Sequence, residues 1–410
     1  MAEPSVVANA AGAPGAAVAA AAADCETEVL DDEPRNILMG IIAQLRKGMD
    51  LHRVTLPTFV LEPRSMCERI TDFLAHQDLL TPLKSDPVER FVDVVRYFLS
   101  GWHIRPKGVK KPFNPVLGEI FRCRWDLDNG TQSFYVCEQV LHHPPVSAYF
   151  YASPENGVVI TGELRPRARF LGNSAATMME GGSTVTFTSL DGETYHITPP
   201  NMYARGILFG TMYIELGDTA TIRCPKTDLV CCIEFKTKGY FVSSENNAIS
   251  GKIKNDSTGE VIYKILGSWS DQMWLQPSKT SDKQLLFDAA SAVCLTKIVH
   301  DVSEQEEFES RRLWDNVARA VIARDLDLAT VEKTRIEDNQ RLIVKDREAR
   351  GVEWVPRFFE ADGSQWKPRF LGSVPSDPAK AKAWLAEFLF ASASTEMHSR
   401  FWAPADDKPQ

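Results

Sequence analysis

The chain has 410 residues, 44% of them hydrophobic, and 46 Lys+Arg against 55 Asp+Glu give a formal charge of −9. Residues 1–35 hold seven acids and the single base Arg35, so they carry −6 and the remainder only −3. That balance excludes an electrostatic footprint for nucleic acid, while the length and apolar content suffice for a core with an internal cavity.

Residues 1–35 are Ala-rich and then acidic, which predicts a disordered tail. The apolar stretch Val18–Ala23 is no secretory signal, because Glu3 stands where basic residues should precede it. No run of about 18 apolar residues occurs, so no membrane-spanning helix is expected. From Asn36 to Gly48, Ile37, Leu38, Ile41, Ile42 and Leu45 fall on one helical face. A helix this short is unstable alone, so its apolar face needs a seat. Helices follow over 65–100, with Ser65 and Glu68 as a capping box and Asp86-Pro87-Val88-Glu89 as a second start signal.

Over 116–276 the texture changes to strands. Asn129-Gly130, Asn156-Gly157, Asp191-Gly192 and Gly217-Asp218 separate short runs of Val, Ile, Tyr, Phe and Thr, the pattern of consecutive hairpins. Thr184-Val185-Thr186-Phe187-Thr188 alternates, so one face is buried and one is wet. So many antiparallel strands must close, or nearly close, around an interior. Helices return over 303–350, starting at Ser303 with Glu306 and again at Thr330. An extension over 361–410 ends the chain, with a short amphipathic piece near 378–391.

Eight cysteines without a C-x-x-C pair read as reduced cytosolic thiols. No H-E-x-x-H and no Cys/His set at ligand spacing is present, so no metal and no cofactor is expected. Nucleophile elbows and phosphate-binding glycine loops are also missing, which favours binding over catalysis. Three local signals remain. His142-His143-Pro144-Pro145 reads either as structural histidines or as two rings held toward a phosphate. Lys110-Lys111-Pro112-Phe113-Asn114-Pro115 is either a turn entering a strand or a stiff loop offering Lys111 and Asn114 as donors. Lys333, Glu337 and Arg341 share one helical face, which is either a solvated ion-pair ladder or a binding face.

Together these segments resemble the ligand-binding domain of the oxysterol-binding-protein family. Glu138-Gln139-Val140-Leu141-His142-His143-Pro144-Pro145 matches the family fingerprint except at Leu141, where a small hydroxyl residue is usual. The run from Lys110 to Glu119 and the stripe around Glu337 match as well, and the likeness covers residues 36–360. Leu56-Pro57-Thr58-Phe59, Gly101-Trp102-His103-Ile104 and Phe170-Leu171-Gly172-Asn173 point to the short yeast homologues that exchange phosphatidylserine for phosphatidylinositol 4-phosphate. Against this, Ala168 replaces a serine expected beside the phosphatidylserine head group.

The resemblance implies an incomplete antiparallel β-barrel with flanking helices, an apolar tunnel and an N-terminal helical lid over 36–48. It implies that Lys111, Asn114, His142, His143, Lys333, Glu337 and Arg341 surround the phosphoinositide head group, and that Leu56, Thr58, Lys111 and Asn114 meet phosphatidylserine. The implied protein is a monomeric carrier rather than an enzyme, touching membranes transiently in the cytoplasm at contacts between the endoplasmic reticulum and plasma membrane. Sterol exchange and lipid sensing are the alternatives on the same scaffold. Phe358-Phe359-Glu360-Ala361 loosely resembles a receptor-binding motif, but the structural reading is favoured.

Overall fold

A computed structural model describes residues 28–29, 32–51, 57–208, 211–238 and 246–391. Its centre is a sheet of fourteen antiparallel strands, running in near-sequence order from Ile120–Asp126 to Gln284–Asp288. The strands thus continue past the expected end at 276. Among the described residues no ladder joins the two outer strands, so the barrel is incomplete, as expected.

Asn129-Gly130, Asn156-Gly157 and Asp191-Gly192 each sit between consecutive strands, and Gly130, Gly157 and Asp191 have positive φ. Gly217-Asp218 does not form a turn. It lies inside the strand Thr211–Cys224, whose first half pairs with Asn201–Arg205 and whose second half pairs with Leu229–Phe235. Asp218, at φ 69°, bends the strand where its partners change. A glycine–acid pair signals left-handed backbone, which serves a bulge as well as a turn. The expected alternation holds at Val185 and Phe187, which are buried between partly exposed threonines.

Helix Pro87–Ser100 starts as expected, with the Asp86 carboxylate accepting from Val88 N and Glu89 N at 2.9 Å each. Its Phe91, Val94, Val95 and Phe98 enter the main core with Tyr195 and Phe235 of the sheet. Ser65 does not cap. Its hydroxyl donates to Glu119 instead, and the helix Met66–Arg69 passes at once into a 3-10 stretch, Ile70–Leu74. Ser303 likewise starts no helix, since Asp301 caps a single turn there, and helix resumes only at Ser310–Leu313. The long helix Leu326–Ala349 begins earlier than Thr330, because Asp325 accepts from Leu328 N at 2.9 Å. At the last two starts a better-placed acid, Asp301 or Asp325, takes the capping role.

The N-terminal helix spans Asp32–Ile42 rather than 36–48. It starts earlier than the apolar periodicity does. Gly48 (φ 87°) is not its stop; the Gly48 N–H donates to Phe170 O at 2.7 Å, and Phe170 N–H returns to Met49 O at 3.0 Å. Upstream, Glu28–Val29 pairs with Met212 and Thr211, so this part of the expected tail is ordered on the barrel. The remainder of the expected tail, 1–27 with 30 and 31, lies outside the described residues. The extension is docked too: helix Pro378–Phe390 joins Phe358, Phe359 and Phe370 in a cluster over Phe134 and Phe150. Phe358 and Phe359 are fully buried, which leaves no exposed motif there.

Candidate functional site

The inward faces of the sheet enclose an apolar cavity in which the centre of a water-sized sphere can move through about 250 Å³. Its walls include Trp102, Leu164, Met179, Leu216 and Trp269, side chains drawn from distant strands and from the turn after helix Pro87–Ser100. One end is closed by the N-terminal helix. Leu38, Ile41, Ile42 and Leu45 line the cavity, whereas Ile37 is 45% exposed and does not. Four of the five expected lid residues therefore face the tunnel. Leu38 and Ile42 pack with Leu51, Phe170, Ile207 and Met212. Backbone bonds hold both feet of this helix to strand ends, 28–29 on one side and 48–50 on the other.

Polar side chains in the cavity lining include Lys111 and Asn114. Lys111 opens a three-residue strand, Lys111–Phe113, that runs parallel to Leu61–Ser65. Burial, and then the Lys333 ammonium, hold the Lys111 amine below the ordinary lysine range, while Glu337 and Asp50 pull the other way. His142 ends the strand Gln132–His142, and its Nδ1 donates to Pro115 O at 3.0 Å. Burial and then His143 hold its ring below the ordinary histidine range, and Glu337 and Arg341 both act on it. The two imidazoles pack edge to face with centroids 4.5 Å apart. Lys333 is ion-paired to Glu337, and Arg341 reaches Glu337 at 3.9 Å and also pairs with Asp338.

Glu337 is thus the link, acting electrostatically on Lys111 and His142 and bonded to Lys333. Three clusters from 111–114, 142–143 and 333–341 become one polar patch at the tunnel's end. His142, His143 and the helix residues stand outside the apolar wall, and Lys111 and Asn114 within it.

The model of the oxysterol-binding protein family matches residues 40–321. The chain belongs to the oxysterol-binding protein family. An oxysterol-binding protein homologue of Schizosaccharomyces pombe is 51% identical over 82% of this chain and 73% of its own length. Oxysterol-binding protein homologue 7 of Saccharomyces cerevisiae is 48% identical over 79% of this chain and 76% of its own. Among solved structures, the Saccharomyces cerevisiae Osh3 ORD in complex with PI(4)P superposes with TM-score 0.65 at 20% identity. The match covers 87% of this chain and 93% of that one.

Within the family fingerprint, the residues divide by role. Glu138 accepts from Arg357 N at 2.6 Å and Phe358 N at 2.7 Å, and burial pushes its carboxyl up to about 7. Gln139 is locked by its own backbone, which exchanges bonds with Gly118 and Glu119 at 3.0 and 2.8 Å. Glu119 is fully buried and accepts from Ser65, Ser310, Trp314 and Val116 N. Glu138 and Glu119 thus hold the scaffold.

Thr58 departs from its expected tunnel position. It is buried away from the cavity, donating to Leu326 O at 3.2 Å and meeting the Thr330 hydroxyl at 3.4 Å, so it anchors the long helix. Leu56 lies outside the described residues. Sequence reading missed Arg69 and Arg105 in the cavity wall. Arg69 donates to Ile104 O at 2.8 Å and pairs with Asp72, while Arg105 lies 4.4 Å over the Trp269 ring. Isolated arginines outside any motif gave no signal of this placement.

Proposed function

We propose that the chain extracts one phospholipid at a time and exchanges phosphatidylserine for phosphatidylinositol 4-phosphate between membranes. The supporting observation is an apolar tunnel under an amphipathic lid, with a half-buried lysine and an amide in its lining. An acyl chain of about fifteen methylenes gains on the order of 12 kcal/mol from leaving water. A lidded cavity keeps that surface covered in transit and lowers the barrier to leaving the bilayer.

Lys111, Lys333 and Arg341 supply charge to the phosphoinositide phosphates, and Asn114, His142 and His143 supply directional bonds. Glu337 orients its basic neighbours and accepts from inositol hydroxyls. Lys111 and Asn114 also serve phosphatidylserine, which makes the two lipids compete for one cavity. On this reading the protein is a monomer that works in the cytoplasm, visiting membranes briefly where the endoplasmic reticulum approaches the plasma membrane. The Osh3 complex with PI(4)P lends support through the shared fold.

Liposome extraction tests the reading. Protein incubated with mixed vesicles should take up phosphatidylserine, take up little sterol, and release phosphatidylserine when phosphatidylinositol 4-phosphate is added. Saturable sterol uptake without phosphatidylserine uptake would favour sterol exchange, and chemically altered lipid products would mean catalysis.

A further inference from the structure

At the sheet's free edge, three side chains from separate segments converge. His76 precedes the turn Gln77–Leu80, His103 follows helix Pro87–Ser100, and Cys294 lies beyond the last strand of the sheet. His76 Nε2 is 3.0 Å from His103 Nε2 and 3.8 Å from Cys294 Sγ. All three donor atoms lie within 4.8 Å of one another. The backbone fixes this approach, because Leu295 N donates to Ala75 O at 2.9 Å. Phe287 walls the pair of rings, with centroids 5.1 Å from His76 and 6.0 Å from His103.

Hydrogen bonding alone serves this cluster badly. An imidazole nitrogen carries one proton or one lone pair, so His76 Nε2 cannot satisfy His103 and Cys294 together. A cation takes a lone pair from each. With Zn–N of about 2.05 Å and Zn–S of about 2.3 Å, tetrahedral geometry places two nitrogens about 3.3 Å apart and nitrogen from sulfur about 3.6 Å. The two separations at His76 differ from these by only a few tenths of an ångström, and the third, from His103 to Cys294, lies within 4.8 Å and closes by about 1 Å at most as the ion binds.

We propose that His76, His103 and Cys294 bind one zinc ion, with a water molecule in the fourth position. Two imidazoles and a thiolate suit zinc over the harder magnesium and calcium, which take oxygen ligands. Cys294 is exposed, so solvent reaches the open coordination position. The ion ties three segments where the sheet fails to pair with itself, and His103 lies between the cavity-lining Trp102 and Ile104. Metal occupancy therefore stiffens the wall of the cavity as well as the seam.

The test uses the full, untagged chain, stripped with a chelator and titrated with Zn²⁺ and separately with Co²⁺. One equivalent of zinc should bind, and the cobalt form should show a thiolate-to-metal charge-transfer band. The band should persist in a Cys25→Ser, Cys232→Ser variant and in a His142→Ala, His143→Ala variant, and vanish in Cys294→Ala. His103→Gln should weaken zinc binding at least tenfold. In the unmodified chain, which needs no variant to fold, zinc should protect Cys294 but not Cys232 from alkylation, read by mass spectrometry. Absence of zinc binding, survival of the band in Cys294→Ala, or equal alkylation of both thiols with and without zinc would each overturn the site.

Discussion

At the scale of single residues, protonation decides what the polar patch can do. A carbonyl only accepts, so the bond from His142 to Pro115 O puts a proton on Nδ1 and leaves Nε2 of the neutral ring as a lone pair. Donation from Nε2 to a phosphate then requires proton uptake, which a dianionic ligand favours. Replacing both His142 and His143 by Ala should cost phosphoinositide affinity at least tenfold, since a bond to a charged partner is worth about 1.5–3 kcal/mol. Liposome extraction by a variant with native circular dichroism checks this, and undiminished extraction removes the pair from the site. Lys111 adds a pH dependence whose sign is fixed. Its amine sits below the ordinary lysine range, so the empty site loses this charge at lower pH than a free lysine does. A bound phosphate favours the charged form, and affinity should therefore fall as pH rises, with the loss setting in below the pH at which a free lysine titrates. Lys111→Arg retains the charge as pH rises; its affinity should hardly change with pH, and a slope equal to that of the parent chain would assign the titration elsewhere.

At the scale of elements, the lid shows what periodicity conveys and what it omits. The apolar face was legible in Leu38, Ile41, Ile42 and Leu45, which do line the cavity. The boundaries were not, because the helix starts at Asp32, before any apolar residue repeats, and because Gly48 serves the bond to Phe170 rather than a helix end. Ser65 and Ser303 misled for a related reason: each hydroxyl finds a carboxylate, Glu119 or Asp301, that local spacing does not reveal. Ile41→Asp with Leu45→Asp should impair lipid retention, through lost burial of about 1.5–3 kcal/mol per side chain. Release of a fluorescent lipid into acceptor vesicles measures it, and unchanged retention would mean the helix is no lid. Gly118 couples the lysine loop to the histidine strand. A Cβ there would sit 2.5 Å from the Trp354 ring, and φ is +81°. Gly118→Ala should cost about 1–3 kcal/mol, seen as an earlier urea midpoint at unchanged slope.

At the scale of the whole molecule, hairpin signals were enough for a curved antiparallel sheet, but not for how its gap is filled, which depends on partners far apart in sequence. The joining of residues 111–114, 142–143 and 333–341 belongs to the same class: each cluster was ambiguous alone, and only the family resemblance brought them together before the fold did. Across the gap, Arg124 exchanges backbone bonds with Ile298 at 3.0 and 2.8 Å, and Ile120 N donates to Phe308 O at 3.0 Å. The largest polar tie there is Arg122, whose fully buried side chain pairs with Glu309 at 2.8 Å and Glu306 at 3.2 Å. Removing one partner of a buried pair strands the other, at about 3–5 kcal/mol, whereas replacing both by apolar residues is often neutral or better. Glu309→Ala should fall near the lower end of that range, because Glu306 still faces the guanidinium. Arg122→Met with Glu309→Leu should recover most of the loss. Urea titration followed by tryptophan fluorescence gives both values and closes a double-mutant cycle. Neither residue lines the cavity, so the double variant should extract phosphatidylserine as the parent chain does. A single variant as stable as the parent would show that the backbone ladder and apolar packing alone hold the open barrel together.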